Sequence, residues 1–217
     1  MRADGAPWQN RGVPTSSRTA PAVWPVLAPG GAEPAAVLRR RWQLGELARV
    51  VDDLYLPVDL EPWPVARSAA LRELLRPGWV AGLAASVWAR GGPGRAGAPA
   101  GPHDAHDVDV LAPPATAVRV ADGVRVRLVR VPASAVERVH GVDVTTLVRT
   151  AADLALWGTG RDDDVLAWVW ARGTDPADVV DDLVARGPVP GLARAARVLR
   201  AVRSGAREPL ARSAVVA

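Results

Sequence analysis

The stretch His140-Gly141-Val142-Asp143-Val144-Thr145-Thr146-Leu147-Val148-Arg149-Thr150-Ala151-Ala152-Asp153-Leu154-Ala155 decides the reading of the fold. Val142 and Val144 alternate with Asp143 and Thr145, the pattern of a short strand. A helix opens near Thr145 or Thr146, whose hydroxyl is suited to accept from the exposed N–H groups of a first turn, and ends at Gly158. On that helix Arg149 and Asp153 are four residues apart, hence on one face and able to pair. His140, immediately before Gly141, reads as a turn or surface histidine rather than as a base.

Beyond this unit the chain reads as helical. A helix opens after Arg161 with Asp162, Asp163 and Asp164 at its positive N-terminal end. Another begins at Asp175-Pro176, carries Asp178 in its first turn and stops at Gly187-Pro188. The last, Gly191 to Ser204, puts Leu192, Ala195, Val198, Leu199 and Val202 on one face and Arg194, Arg197, Arg200 and Arg203 around the other. Residues 161–185 carry seven Asp and two Arg, whereas 186–217 carry seven Arg and one Glu; two consecutive segments pairing their charges account for that contrast better than a second DNA contact does. Trp168 and Trp170, among Val165, Leu166 and Val169, read as core or interface residues.

Toward the N-terminus, Val118-Arg119-Val120 and Val124 to Leu128 flank Ala121-Asp122-Gly123, a hairpin signal, with a bulge near Leu128 absorbing the slip in apolar phase before Val129 and Val131. Asp107 to Leu111 reads as a strand. A helix over Ala66 to Leu75 is stopped by Pro77-Gly78, and a second over Val80 to Ala89 buries Val80, Leu83, Ala84 and Val87. Gly91 through Pro102 is a loop. Ala35 to Trp42 reads as a short basic helix, and Leu47 to Pro57 as two short strands about the acidic turn Asp52-Asp53, so a helix is followed by a wing. Residues 1–34 hold six Pro and four Gly without apolar periodicity, which describes a flexible leader.

Composition narrows the chemistry. Leu and Val make up 54 of 217 residues, above the roughly one-fifth level of disordered chains, so a core can form. All 27 basic residues are Arg, and Lys, Ile, Phe and Cys are absent. That excludes disulfides, thiolate chemistry, Schiff-base lysines and a P-loop lysine. The net charge of +4 is weak evidence for nucleic acid by itself. A restriction-type nuclease site usually needs a Lys beside paired carboxylates, and Arg does not readily give up a proton. No serine sits in a Gly-x-Ser-x-Gly elbow. His103-Asp104-Ala105-His106-Asp107-Val108-Asp109 is the one cluster of potential metal ligands, and it reads as a polar loop entering a strand. Gly91-Gly92 followed by Asp107-Val108-Asp109 is similar to the arrangement in nucleotidyltransferases, but Pro93-Gly94-Arg95-Ala96-Gly97-Ala98-Pro99 cannot be the helix that chemistry requires. No catalytic residue, metal or cofactor is expected. The longest uncharged apolar stretch, Pro77 to Ala89, is far short of the roughly 20 residues of a spanning helix. The first twenty residues carry Arg2, Asp4, Arg11 and Arg18 without an apolar run. A cytoplasmic protein without membrane contact is expected.

The segment from His140 to Ala155 resembles the pattern Gly-x-x-Val-Thr-x-x-x-Arg-Thr-x-x-Asp-Leu-Ala of AbiEi-type antitoxins of type IV toxin-antitoxin systems, carried here by Gly141, Thr145, Arg149, Thr150 and Asp153. Gly45 to Pro57 looks like that family's wing, and Leu71 to Gly92 like the paired helices after it. The resemblance implies a winged helix-turn-helix that represses its own operon, joined to a domain that opposes a nucleotidyltransferase-like toxin. Promoter DNA and a toxin protein are the implied partners. Arg39, Arg40, Arg41 and Arg49 are the expected DNA contacts, phosphate and base-edge readers on a short helix and its wing. The chain departs from the family in three ways: a Pro/Gly leader replaces the helices before the recognition helix, Asp52-Asp53 stands at the wing tip, and a nuclease-like extension would start only near Gly205. The expected fold is α/β (α+β), a small winged-helix-like N-terminal element and a mixed core of a few strands packed by helices. Residues 1–34 form the disordered leader, 35–64 the winged-helix-like element, 65–205 the core and 206–217 a tail. The expected function is a non-enzymatic antitoxin-like regulator. The alternatives are an interaction-only remnant without DNA binding and, further off, a nucleotidyltransferase.

Overall fold

The structure, a computed structural model, describes residues 26–27, 33–51, 54–60, 63–93, 108–115, 123–159 and 162–204. It is mixed α/β, with a two-stranded ribbon and a five-stranded sheet. Helix α1 (Ala35–Gln43) precedes the antiparallel ribbon of β1 (Leu47–Val51) and β2 (Leu54–Pro57), whose register shifts between Arg49 and Val51. Alternation along β2 gives the ribbon two apolar faces. Tyr55 turns to α1, where it packs with Leu38 and Leu47, while Leu54 and Leu56 join the main core with Val50. The expected leader is not without structure throughout: Leu27 exchanges two backbone hydrogen bonds with Tyr55, at 2.8 and 3.0 Å, and extends the ribbon by a bridge.

Helix α2 (Pro64–Leu74) starts with Pro at its first position, where a missing N–H costs nothing. It leads to β3 (Val80–Ala81), α3 (Leu83–Ala89), β4 (Val108–Ala112), β5 (Val124–Leu128), a 3-10 turn (Ala133–Ala135), β6 (Val136–Val139) and β7 (Val142–Thr145). The sheet order is β5-β4-β3-β7-β6, with β4/β5 and β3/β7 parallel and β3/β4 and β6/β7 antiparallel. One face of the sheet, carrying Val108, Val110, Val142 and Val144, packs on α2 and the ribbon. The other, carrying Val80 and Leu111, faces a helical layer in which α3 meets β4 and β7, and α4 (Leu147–Trp157) packs on α3 and is flanked by α5 (Asp163–Ala171), α6 (Pro176–Ala185) and α7 (Leu192–Arg203).

Three expectations are corrected. Val80 and Ala81 do not begin a helix; they form the central strand, and the helix starts only after Gly82. A two-residue strand buried on both faces has no alternation to betray it. The register of β4 with β5 runs unbroken from Val108↔Val124 to Ala112↔Leu128. There is thus no bulge near Leu128, and the strand ends there with that side chain exposed. The partner described for β5 is the parallel β4, whereas Val118-Arg119-Val120, its expected hairpin partner, lies outside the described residues. The expected strand over Asp107 to Leu111 is described from Val108 to Ala112. Finally, Arg194 does not face solvent with the other arginines of α7. Its Nη1 donates to the Leu154 and Ala155 carbonyls at 3.1 and 2.8 Å in the last turn of α4, the first of which also accepts from the Gly158 N–H at 2.8 Å.

Candidate nucleic-acid interface

The four expected DNA-contacting arginines fall around α1 and the ribbon, but they are not equivalent. Leu38, fully buried, fixes the face of α1 that meets the ribbon. Arg39 and Arg40 follow it on the helix surface and are exposed. Arg41 points back: its Nη1 donates to Glu33 at 2.6 Å and its Nε to Glu46 at 3.0 Å. Hydrogen bonds to Glu33 and then Glu46 raise the Arg41 guanidinium pKa above its ordinary value. One residue thereby ties the approach to α1 to the turn that leaves it, and its charge is neutralised locally. Arg49, half-buried on β1, stands over the Trp42 ring at 5.6 Å from the centroid. That contact holds a ribbon guanidinium beside the helix. The acidic tip Asp52-Asp53 lies outside the described residues. So Arg39 and Arg40 are exposed on α1, Arg49 stands on the ribbon over Trp42, and Arg41 serves the architecture.

Four of the five motif residues, Thr145, Arg149, Thr150 and Asp153, are buried along the β7–α4 unit, and Gly141 stands in the turn before β7. His140 and Gly141, at φ +48° and +81°, make the tight turn of the β6–β7 hairpin; glycine suits this left-handed backbone because it has no Cβ to clash. Thr146 caps α4, accepting from the Arg149 N–H at 3.3 Å. Thr145 and Thr150, both fully buried, place their hydroxyls 2.7 Å apart, and the Thr145 carbonyl accepts from the Ser86 hydroxyl at 3.0 Å and from Arg90 Nη2 at 2.7 Å. Arg90 also pairs with Glu137, so α3, β6, β7 and α4 are knotted at one point. These hydroxyls bond one another and the backbone, which describes a structural joint rather than an activated nucleophile.

Four residues further along α4, Asp153 is fully buried between two arginines. Arg149 Nε lies 3.1 and 3.0 Å from its carboxylate oxygens, and Arg186 Nη1 donates to Oδ1 at 2.6 Å while its other arm holds Asp182. Burial raises the Asp153 carboxyl pKa above its ordinary value, against the pull of Arg149 and Arg186. The predicted Arg149–Asp153 pair is therefore present, with Arg186 as a third member that α4 alone could not reveal. Ser86, Arg90, Arg186 and Arg194 carry no local signal as partners of the motif, because each meets α4 or β7 from a distant part of the chain.

The remaining candidates give less. Gly91 and Gly92 follow the end of α3 and do not open a helix. His103, Asp104, His106 and Asp107 lie outside the described residues, and among the described residues no group of three or more metal-ligating side chains converges. Asp109, on β4, is buried against Arg127 Nε at 3.2 Å, and burial pushes its carboxyl up to about 6 in spite of Arg127 and Arg125. Trp168 and Trp170 pack partly buried against the helical core. Among the described residues no helix is long and apolar enough to cross a membrane. No protein-family model, curated protein or solved structure matches the chain.

Proposed function

We propose that the protein is a non-enzymatic, AbiEi-like antitoxin-type regulator that binds its own promoter through α1 and the ribbon, its core serving to oppose a toxin partner. The observation that carries this reading is a short helix with exposed Arg39 and Arg40, packed on a ribbon whose Arg49 is held over Trp42. Guanidinium groups spaced along a short helix and an adjoining ribbon suit a phosphate backbone, where each contact releases counterions. Arg41 leaves the set of contacts, since Glu33 and Glu46 occupy it. A mobility-shift titration on the promoter fragment tests the proposal. Arg39→Ala/Arg40→Ala should weaken binding at low salt and flatten the slope of log K against log salt by about 2. Arg41→Ala should leave that slope unchanged. No binding by the unmodified chain at low salt, or equal weak binding to any DNA, removes the repressor role. An interaction-only module is then the reading that stands, favoured by the exposed apolar face of α6 and α7.

A further inference from the structure

Helix α1 has an outward face as well defined as its inward one. The inward side is fixed by Leu38, fully buried against the ribbon. At about 100° per residue, Ala36, Arg40 and Gln43 fall opposite Leu38, one above another along the helix. Arg39 lies on one flank of that stripe, and Val37 and the C-cap residue Leu44 lie on the other. All six are exposed, Val37 to 43% and Leu44 to 57%. Among the described residues neither Arg40 nor Gln43 has a side-chain partner. Arg41, by contrast, is turned back to Glu33 and Glu46.

We infer that this face reads base edges in the major groove, Arg40 a guanine and Gln43 an adenine; the inference rests on the promoter-binding reading above. Arg40 can set two N–H groups against guanine O6 and N7, and the Gln43 carboxamide can accept from adenine N6 while donating to N7. The three residues from Arg40 to Gln43 rise about 4.5 Å along the helix axis, against about 3.4 Å between successive nucleotides of a strand, so the two contacts fall one or two base pairs apart. Ala36 has no side chain beyond Cβ and lets the helix backbone come close to the bases. Val37 and Leu44, two turns apart on one flank, present methyl groups where thymine 5-methyl groups stand, the base-edge feature that an aliphatic side chain meets best. Arg39, on the other flank, faces the phosphates, which position the helix without specifying sequence. A purely electrostatic surface has no use for an uncharged Gln43 in the middle of its stripe.

A double-mutant cycle between the full chain and its promoter fragment tests this, with circular dichroism to verify folding. Hydroxyl-radical footprinting marks the bound site, and each purine in it is replaced in turn by its 7-deaza analogue, which pairs normally but lacks the N7 acceptor. In mobility-shift titrations at fixed salt, a 7-deazaguanine and a 7-deazaadenine position, one or two pairs apart, should each weaken the unmodified chain about tenfold. Arg40→Ala should be indifferent to the first replacement and still sensitive to the second, and Gln43→Ala the reverse. Gln43→Ala should also bind unrelated DNA as the unmodified chain does and keep its salt slope, because it removes no charge. If the chain prefers its promoter but no 7-deaza position weakens it, or if either variant stays as sensitive to its own replacement as the unmodified chain, base reading by this face is overturned and the promoter reading stands. A chain that binds no DNA at low salt, or all DNA equally, overturns both.

Discussion

Two three-charge clusters in this protein have mirror-image composition and opposite surroundings. At the surface one arginine, Arg41, lies between two carboxylates, Glu33 and Glu46; in the interior one carboxylate, Asp153, lies between two arginines, Arg149 and Arg186. At the surface, hydrogen bonding to Glu33 and Glu46 outweighs desolvation, and Arg41 is held more firmly in its charged form. In the interior, desolvation outweighs two hydrogen-bonded counter-charges, and the Asp153 carboxyl pKa rises. The same chemistry therefore has a different worth. A solvated ion pair competes with water and salt, whereas removing one member of a buried set strands its partners where water cannot reach them.

The sharpest way to break that comparison is Asp153→Ala, which leaves Arg149 buried opposite no carboxylate and Arg186 with Asp182 alone. Urea unfolding should show a loss of about 3 to 5 kcal/mol. A loss no greater than that of Arg41→Ala would show that the interior cluster is hydrated after all. Asp109 tests the same physics through pH. Its folded-state pKa, about 6, lies above the ordinary carboxylate value, so the folded state holds the proton over the intervening range. Its contribution is therefore fully present below the ordinary value and is lost as pH rises to about 6. The stability of the unmodified chain relative to Asp109→Asn should fall across that window by at most about 3 kcal/mol and be flat above it. Thr146→Ala removes a helix cap at the edge of the interior and should cost about 1 kcal/mol in the same assay. Arg41→Ala should be the smallest effect, a change in thermal midpoint that vanishes in high salt, because its partners stay hydrated when it is gone.

Much of the helical part was legible. The caps at Thr146 and Asp175, the acidic first turn of α5 and the apolar stripe of α7 are local signals, and α4, α5 and α6 begin where their own residues satisfy exposed backbone N–H groups or complement the helix dipole. The basic helix and its ribbon were legible for the same reason. What escaped is non-local. Strand β3 is too short to show a period, and β6 passed unread although Val136 to Val139 and Val142 to Thr145 flank the turn His140-Gly141, itself a hairpin signal. The candidate interface was half legible. The run Arg39-Arg40-Arg41 marks a basic surface, but that Arg41 is tied to Glu33 and Glu46 follows only from where the chain turns.

By itself the sequence determined, from α4 onward, which segments are helical, which faces are apolar and that Arg149 and Asp153 can meet, because hydrogen bonding and side-chain periodicity within one element act over a few residues. Only the tertiary structure decided that Arg186 joins them from the end of α6, that Arg194 caps α4, and that Val80 and Ala81 carry the centre of the sheet. The reason is physical: those contacts join residues far apart in the chain, and their strength is set by how much water the surrounding fold excludes.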